Sequence, residues 1–279
     1  MIRPAFSVAV LATLLAPTAV ATQNEVSAGF TDLRDADDHF LGIGYTRYLS
    51  AINNREGVHL INPYLQRISS VRVNYFALDD IDYTQAGGTW YVNNDWMLSA
   101  DISYLDTDNR LHDEDDKVAD LKAGFNLNRH VQVGTGLRYH RARDTYYTGG
   151  ERGPQTPFNF DDFAAVTTEK WSPSAFARYT MIHNGTGWDF SGQVMFDDID
   201  TLEASGRYFF SPGLSAAINY TFRDPSSELE QYGYENQQVV GAEVDYWVNP
   251  NWSVRAGFDV GVQGNSGLDS LTLLSTYRF

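Results

Sequence analysis

From Asn24 to Phe279 apolar side chains recur at every second position, in segments of about ten residues, and this period of two limits what the chain can fold into. In Trp96-Met97-Leu98-Ser99-Ala100-Asp101-Ile102-Ser103-Tyr104, the side chains of Leu98, Ala100, Ile102 and Tyr104 fall on one face of a strand. Ser99, Asp101 and Ser103 fall on the other, because successive side chains of a strand point to opposite sides. A soluble sandwich would bury the greasy face between two sheets, whereas a membrane barrel would turn it to lipid.

The connections help decide between these. Alternating runs occupy 24–33, 39–49, 67–78, 83–92, 96–105, 118–128, 131–140, 173–182, 188–196, 201–210, 214–222, 238–248, 252–262 and 270–279, about fourteen strands with twelve to sixteen possible. Tight turns built from Asn93-Asn94-Asp95, Asn128-Arg129-His130, Asn184-Gly185-Thr186-Gly187, Ser211-Pro212-Gly213 and Asn249-Pro250-Asn251 alternate with acidic, often longer loops at 34–38, 79–82, 106–117, 141–170, 197–200, 223–237 and 263–269. Short turns on one rim and longer loops on the other are the layout of outer-membrane barrels. The connection 50–66 is long where a short turn is due, which leaves a plug, a helix or a miscounted strand as its explanation.

Aromatic residues mark strand ends, as where a ring sits at the lipid headgroups. Trp96, Trp188 and Trp252 open strands, and Tyr104, Phe196 and Tyr139 are read as outward at the far ends. The pairs Tyr83 with Tyr91 and Leu271 with Phe279 are likewise read as outward. Eight residues at about 3.3 Å each, tilted by roughly 40°, climb about 20 Å, close to the height of the apolar band of such a barrel.

The start of the chain reads as an export signal: Arg3, an apolar run from Ala5 to Ala16, and the small-residue site Ala19-Val20-Ala21. The domain expectation is therefore a signal peptide over 1–21 and one barrel over 22–279. The apolar run is too short for a helix across a bilayer. There is no cysteine, hence neither a disulfide framework nor a thiolate metal site. The expectation is all-β, a transmembrane antiparallel β-barrel in the cell outer membrane.

The chain ends on an amphipathic strand, Leu271-Thr272-Leu273-Leu274-Ser275-Thr276-Tyr277-Arg278-Phe279. Its Tyr277 and Phe279 look like the C-terminal signal read by the barrel assembly machinery. With the run Leu65-Gln66-Arg67-Ile68-Ser69-Ser70-Val71-Arg72-Val73, the mature sequence resembles the general porin family of Gram-negative proteobacteria. That resemblance implies a water-filled diffusion channel for small solutes, working beside lipid and lipopolysaccharide. Sixteen strands are usual in trimeric porins and fourteen would resemble the monomeric architecture, so monomer and homotrimer both stay open.

Without residues 1–21, 19 basic and 36 acidic residues remain, a net charge of −17 that argues against an electrostatic footprint for nucleic acid. The external loops hold 25 acidic and 8 basic residues, so they carry the whole excess. The inward strand positions are balanced. Arg72, Lys122, Arg138, Arg178, Arg207, Arg255 and Arg278 face Asp101, Asp120, Asp189, Glu203, Glu243, Asp245 and Asp259, with Arg255 beside Asp245 and Arg207 beside Asp189 as the expected pairs. These are the candidate pore-lining groups. An acidic rim predicts a modest cation preference. Asp113, Glu114, Asp115 and Asp116 beside His112 could alternatively bridge lipopolysaccharide through divalent cations, or simply confer solubility.

The loop 141–170 is long enough to be functional, and Arg152, Asp161 and Asp162 are its candidate constriction residues. A rival reading is a channel selective for acidic oligosaccharides, lined by a basic stripe of Lys122, Arg138 and Arg178. An enzyme barrel is less favoured: no Gly-x-Ser-x-Gly or His-Glu-x-x-His motif occurs, and His140 would need an acid such as Asp144. No cofactor and no metal site are expected.

Overall fold

The computed structural model describes residues 22–33, 38–53, 57–78, 81–109, 112–147, 163–227, 236–263 and 269–279. The expected signal peptide and the constriction candidates Arg152, Asp161 and Asp162 lie outside these residues.

Fourteen antiparallel strands close on themselves. They are β1 (Asn24–Leu33), β2 (Asp38–Tyr48), β3 (Ser70–Leu78), β4 (Ile81–Tyr91), β5 (Trp96–Asn109), β6 (His112–Asn126), β7 (Val131–Tyr147), β8 (Phe163–His183), β9 (Thr186–Met195), β10 (Ile199–Ser211), β11 (Leu214–Pro225), β12 (Gln237–Asn249), β13 (Trp252–Gln263) and β14 (Ser270–Arg278), with a one-turn helix α1 (Asn62–Leu65) between β2 and β3. Each strand pairs with its sequence neighbours, and β14 pairs with β1 to close the ring. Closure leaves no sheet edge, which is what lets a sheet stand in hydrocarbon with its backbone polar groups satisfied.

The short turns are set by their asparagines. The side-chain oxygen of Asn93 accepts hydrogen bonds from the backbone N–H of Asp95 and Trp96, both at 2.8 Å. Asn128 does the same for His130 and Val131, and Asn249 for Asn251 and Trp252. This Asx turn hands the chain directly into the next strand. The β8–β9 turn instead uses Asn184 and Gly185 at φ 51° and 79°, the doubly left-handed turn that matches strand twist.

Parity divides the wall. Leu41, Ile43, Leu98, Ile102, Ile218 and Phe258 stand exposed on the outer face, where a continuous apolar surface marks contact with lipid. Trp96, Trp188 and Trp252 are outward at the turn-bearing end. The inner face carries the charged and polar side chains and most of the strand glycines, with a few rings such as Phe176 among them. Gly134 leaves room for the Phe176 ring on β8, which a methyl at that position would strike, along with the Ala123 carbonyl.

Three expectations need correction. The segments 106–117 and 141–170 are not plain loops: β5 and β6 pair through Asn109 and His112, and β7 and β8 through Tyr147 and Phe163. Apolar alternation stops where a strand leaves the bilayer, but the hydrogen-bonded ladder does not need it, so β7 and β8 run to 17 and 21 residues against the roughly ten that cross a membrane. The third concerns Tyr83 and Tyr91, which face inward. Arg72 opposes Gly87 and Asn74 bonds Gln85 across β3 and β4, which puts the odd positions of β4 inside and leaves Trp90 as the outward aromatic.

Candidate channel and its charged lining

The predicted pore-lining residues are on inward positions, and the arrangement among them is specific. Arg72 binds Asp101 at 2.6 Å, Arg138 grips Asp120 through two nitrogens at 3.1 and 2.9 Å, and Arg178 forms a two-point pair with Asp189 at 2.9 and 2.8 Å. On the opposite wall, Arg207 bonds Glu243, and Arg255 reaches Asp245 at 3.2 Å and Glu243 at 3.4 Å. Arg255 with Asp245 is thus the pair expected from the sequence. Arg207 with Asp189 is not formed, although the two residues are direct cross-strand partners. Asp189 is already held by Arg178 and by the Thr180 hydroxyl at 2.6 Å, and the fork of Arg207 turns to Glu243 and Ser215 instead.

Three of the predicted lining groups form no ion pair among the described residues. Lys122 donates to the amide oxygen of Gln193 at 2.7 Å, Asp259 accepts from the Ser270 hydroxyl at 3.2 Å, and Glu203 has no ion pair. Arg278 takes a partner that sequence reasoning missed. It is 3% exposed and its guanidinium binds Glu25 at 2.5 Å across the β1–β14 seam. Closure alone brings the first and last strands together, so nothing local in the sequence announces this pair.

The segment between β2 and β3 answers the question posed by 50–66. It folds into the turn-bearing mouth of the barrel and crosses it. The His59 N–H donates to the Pro212 carbonyl at 2.9 Å in the β10–β11 turn, six strand positions from β2 in the ring. Arg278 donates to the His59 carbonyl at 2.6 Å, the His59 ring packs 5.9 Å from Trp247 of β12, and Tyr64 of α1 lies 3.6 Å under the Arg178 guanidinium. Val58 is fully buried, and Ile52 and Ile68 pack with Tyr48 in a small apolar core inside the mouth. Asn62 and Gln66 brace the crossing through the Asn53 carbonyl, each at 2.8 Å. Of the explanations open at the sequence level, this combines a plug with a short helix, and the strand count stands.

His59 sits in this plug with burial pushing its pKa down and the Arg278 cation pushing it further the same way. Its neutral form is therefore favoured when the plug is seated. That contribution is complete above the ordinary imidazole pKa near 6.5 and fades as pH falls through the lowered value. Acidification through that lowered value should loosen the plug and raise single-channel conductance; a His59→Gln channel should lose this pH dependence, and an identical pH profile in the two would exclude His59 as its source.

The remaining predicted groups fall as follows. Tyr277 is outward beside Trp252, its cross-strand partner. Phe279 closes the seam through its backbone, accepting from Gln23 at 3.0 Å and Asn24 at 2.8 Å, with its ring 6.1 Å from Tyr277. At the loop-bearing rim, His140 meets Asp116 at 3.3 Å, Asp115 meets Lys117 at 3.0 Å, and Lys170 binds Asp197 and Asp198. No group of three metal-ligating side chains occurs among the described residues.

No protein family and no characterised relative matches the sequence. Solved structures do match. The outer membrane protein Omp33 of Acinetobacter baumannii superposes with a TM-score of 0.62 at 18% identity, covering 92% of this chain and 98% of that one. The KdgM porin follows at a TM-score of 0.43 and 8% identity over 91% and 99% of the two chains, and OccK11 of Pseudomonas aeruginosa at 0.42 and 12% over 92% and 95%. With a lipid-facing belt outside and paired charges within, the chain has the fold of an outer-membrane β-barrel, as Omp33 does.

Proposed function

We propose that this protein is an outer-membrane channel for passive diffusion of small hydrophilic solutes, with a modest preference for cations, narrowed at its periplasmic mouth by the segment between β2 and β3. The observation that carries this reading is the inner wall, where the charged side chains of the strands gather and the arginines are neutralised by carboxylates, a lining suited to water. A charge on the outer face at the bilayer midplane would cost about 2 to 4 kcal/mol, so these groups belong to an aqueous interior.

The cation preference rests on the expected external loops. These carry the chain's acidic excess. They raise local cation concentration within a screening length of roughly 8 Å at physiological salt. In a planar bilayer under a potassium chloride gradient, the purified protein should give discrete conductance steps and a reversal potential of the sign set by potassium. Anion selectivity, or no conductance, would sink the reading.

The basic-stripe alternative for acidic oligosaccharides finds little support. Arg138 and Arg178 are each engaged by a carboxylate through two nitrogens, which leaves Lys122 alone of the three. The candidate constriction residues of 141–170 lie outside the described part of the chain, and the β2–β3 plug sets the size limit.

A further inference from the structure

The inner wall is an exercise in cancellation, and the places where cancellation fails are informative. Every inward arginine named above has a carboxylate within 3.2 Å or closer. Lys122 on β6 meets an uncharged amide instead, and it reaches Gln193 on β9 across a gap kept clear by Gly136, whose added methyl would press on the lysine stem and on Ser174. Gln193 is the direct cross-strand partner of Glu203 on β10. Side chains so opposed have Cβ atoms about 5 Å apart. Lys122, Gln193 and Glu203 thus line one cavity of about 460 Å³, together with Arg178, Ser205 and Asn219.

We propose that Lys122, Gln193 and Glu203 form a subsite for small zwitterions, free α-amino acids above all, within the channel; this rests on the diffusion-channel reading above and names a solute class for it. The solute carboxylate takes the Lys122 ammonium, and its ammonium takes the Glu203 carboxylate. The Gln193 amide, whose oxygen already faces Lys122, has its NH2 group left to donate to the carboxylate. A simple anion gains at Lys122 and loses at Glu203, and a simple cation the reverse. Only a solute carrying both charges gains at both. The cavity is of the size that encloses a small ligand with some water.

The test is swelling of proteoliposomes in L-serine and in erythritol, a polyol of similar size, with wild-type protein, Lys122→Met, Glu203→Gln and the exchanged double variant Lys122→Glu with Glu203→Lys. Wild-type protein should admit serine faster relative to erythritol than free diffusion dictates. That ratio should fall about threefold to fivefold in each single variant, the size of a solvated ion pair, and recover in the exchanged variant, which a merely structural role for either residue would not produce. An unchanged ratio in both single variants, or a wild-type ratio equal to that of free diffusion, would overturn the subsite while leaving the channel in place. Wild-type vesicles that swell in neither solute and carry no current would remove the channel itself, and the subsite with it.

Discussion

Replacing residues 50–68 with Asn-Gly will raise single-channel conductance several-fold. Leu49 N–H bonds the Ser69 carbonyl at 2.8 Å, and Tyr48 and Ser70 are cross-strand partners, so β2 and β3 can be joined there by a two-residue hairpin turn. The shortened chain keeps all fourteen strands and their ladders. What it loses is the crossing of the mouth by His59 and Tyr64, together with the burial of Ile52, Val58 and Ile68. Each of these apolar side chains contributes about 1.5 to 3 kcal/mol when removed from water, so the variant should also unfold at lower temperature while still migrating as a compact barrel on unheated gels. Conductance equal to that of the wild type would show that ions do not pass where the segment lies.

Arg278→Ala should be the most damaging single substitution in the wall. The side chain is almost wholly enclosed and binds Glu25, donates to the His59 carbonyl, and lies 4.2 Å from the Trp247 ring centroid. Its removal leaves the Glu25 carboxylate in a tight site without its counterion and frees one end of the plug. Breaking a buried pair in this way costs about 3 kcal/mol, the lower end of the usual range because Glu25 keeps some access to water. A lowered unfolding temperature together with larger, noisier conductance is the expected signature. Glu25→Gln should be milder, since its amide oxygen can still accept from the guanidinium. If Arg278→Ala matched the wild type in both measurements, the seam contact would be incidental.

Much of this barrel was legible in the sequence because its chief determinant is local. The alternation of Leu98, Ala100 and Ile102 with Ser99, Asp101 and Ser103 states which side is wet, and Asn93, Asn128 and Asn249 announce their turns. What was illegible depended on closure or lacked a period. The extra length of β7 and β8 carries no apolar stripe because no lipid faces it. Aromatic rings as a guide put Tyr83 and Tyr91 outside, whereas Gly87 opposite Arg72 fixes the parity of β4. Arg207 was assigned to its opposed neighbour Asp189, but a long guanidinium can choose among several strands, and the competing claim of Arg178 decides it. The plug residues His59 and Tyr64 gave only one signal, a connection longer than its neighbours on the same rim.

The contact of Arg278 with both Glu25 and the His59 carbonyl orders events in time. Arg278 rides on the terminal strand and Glu25 on the first, so until those two strands meet the crossing segment lacks its fastening at the seam. A barrel caught before its seam closes therefore has a stopper without a clasp. Sealing of the wall and seating of the stopper become one step, so a leaky mouth belongs to the unfinished molecule rather than the finished one.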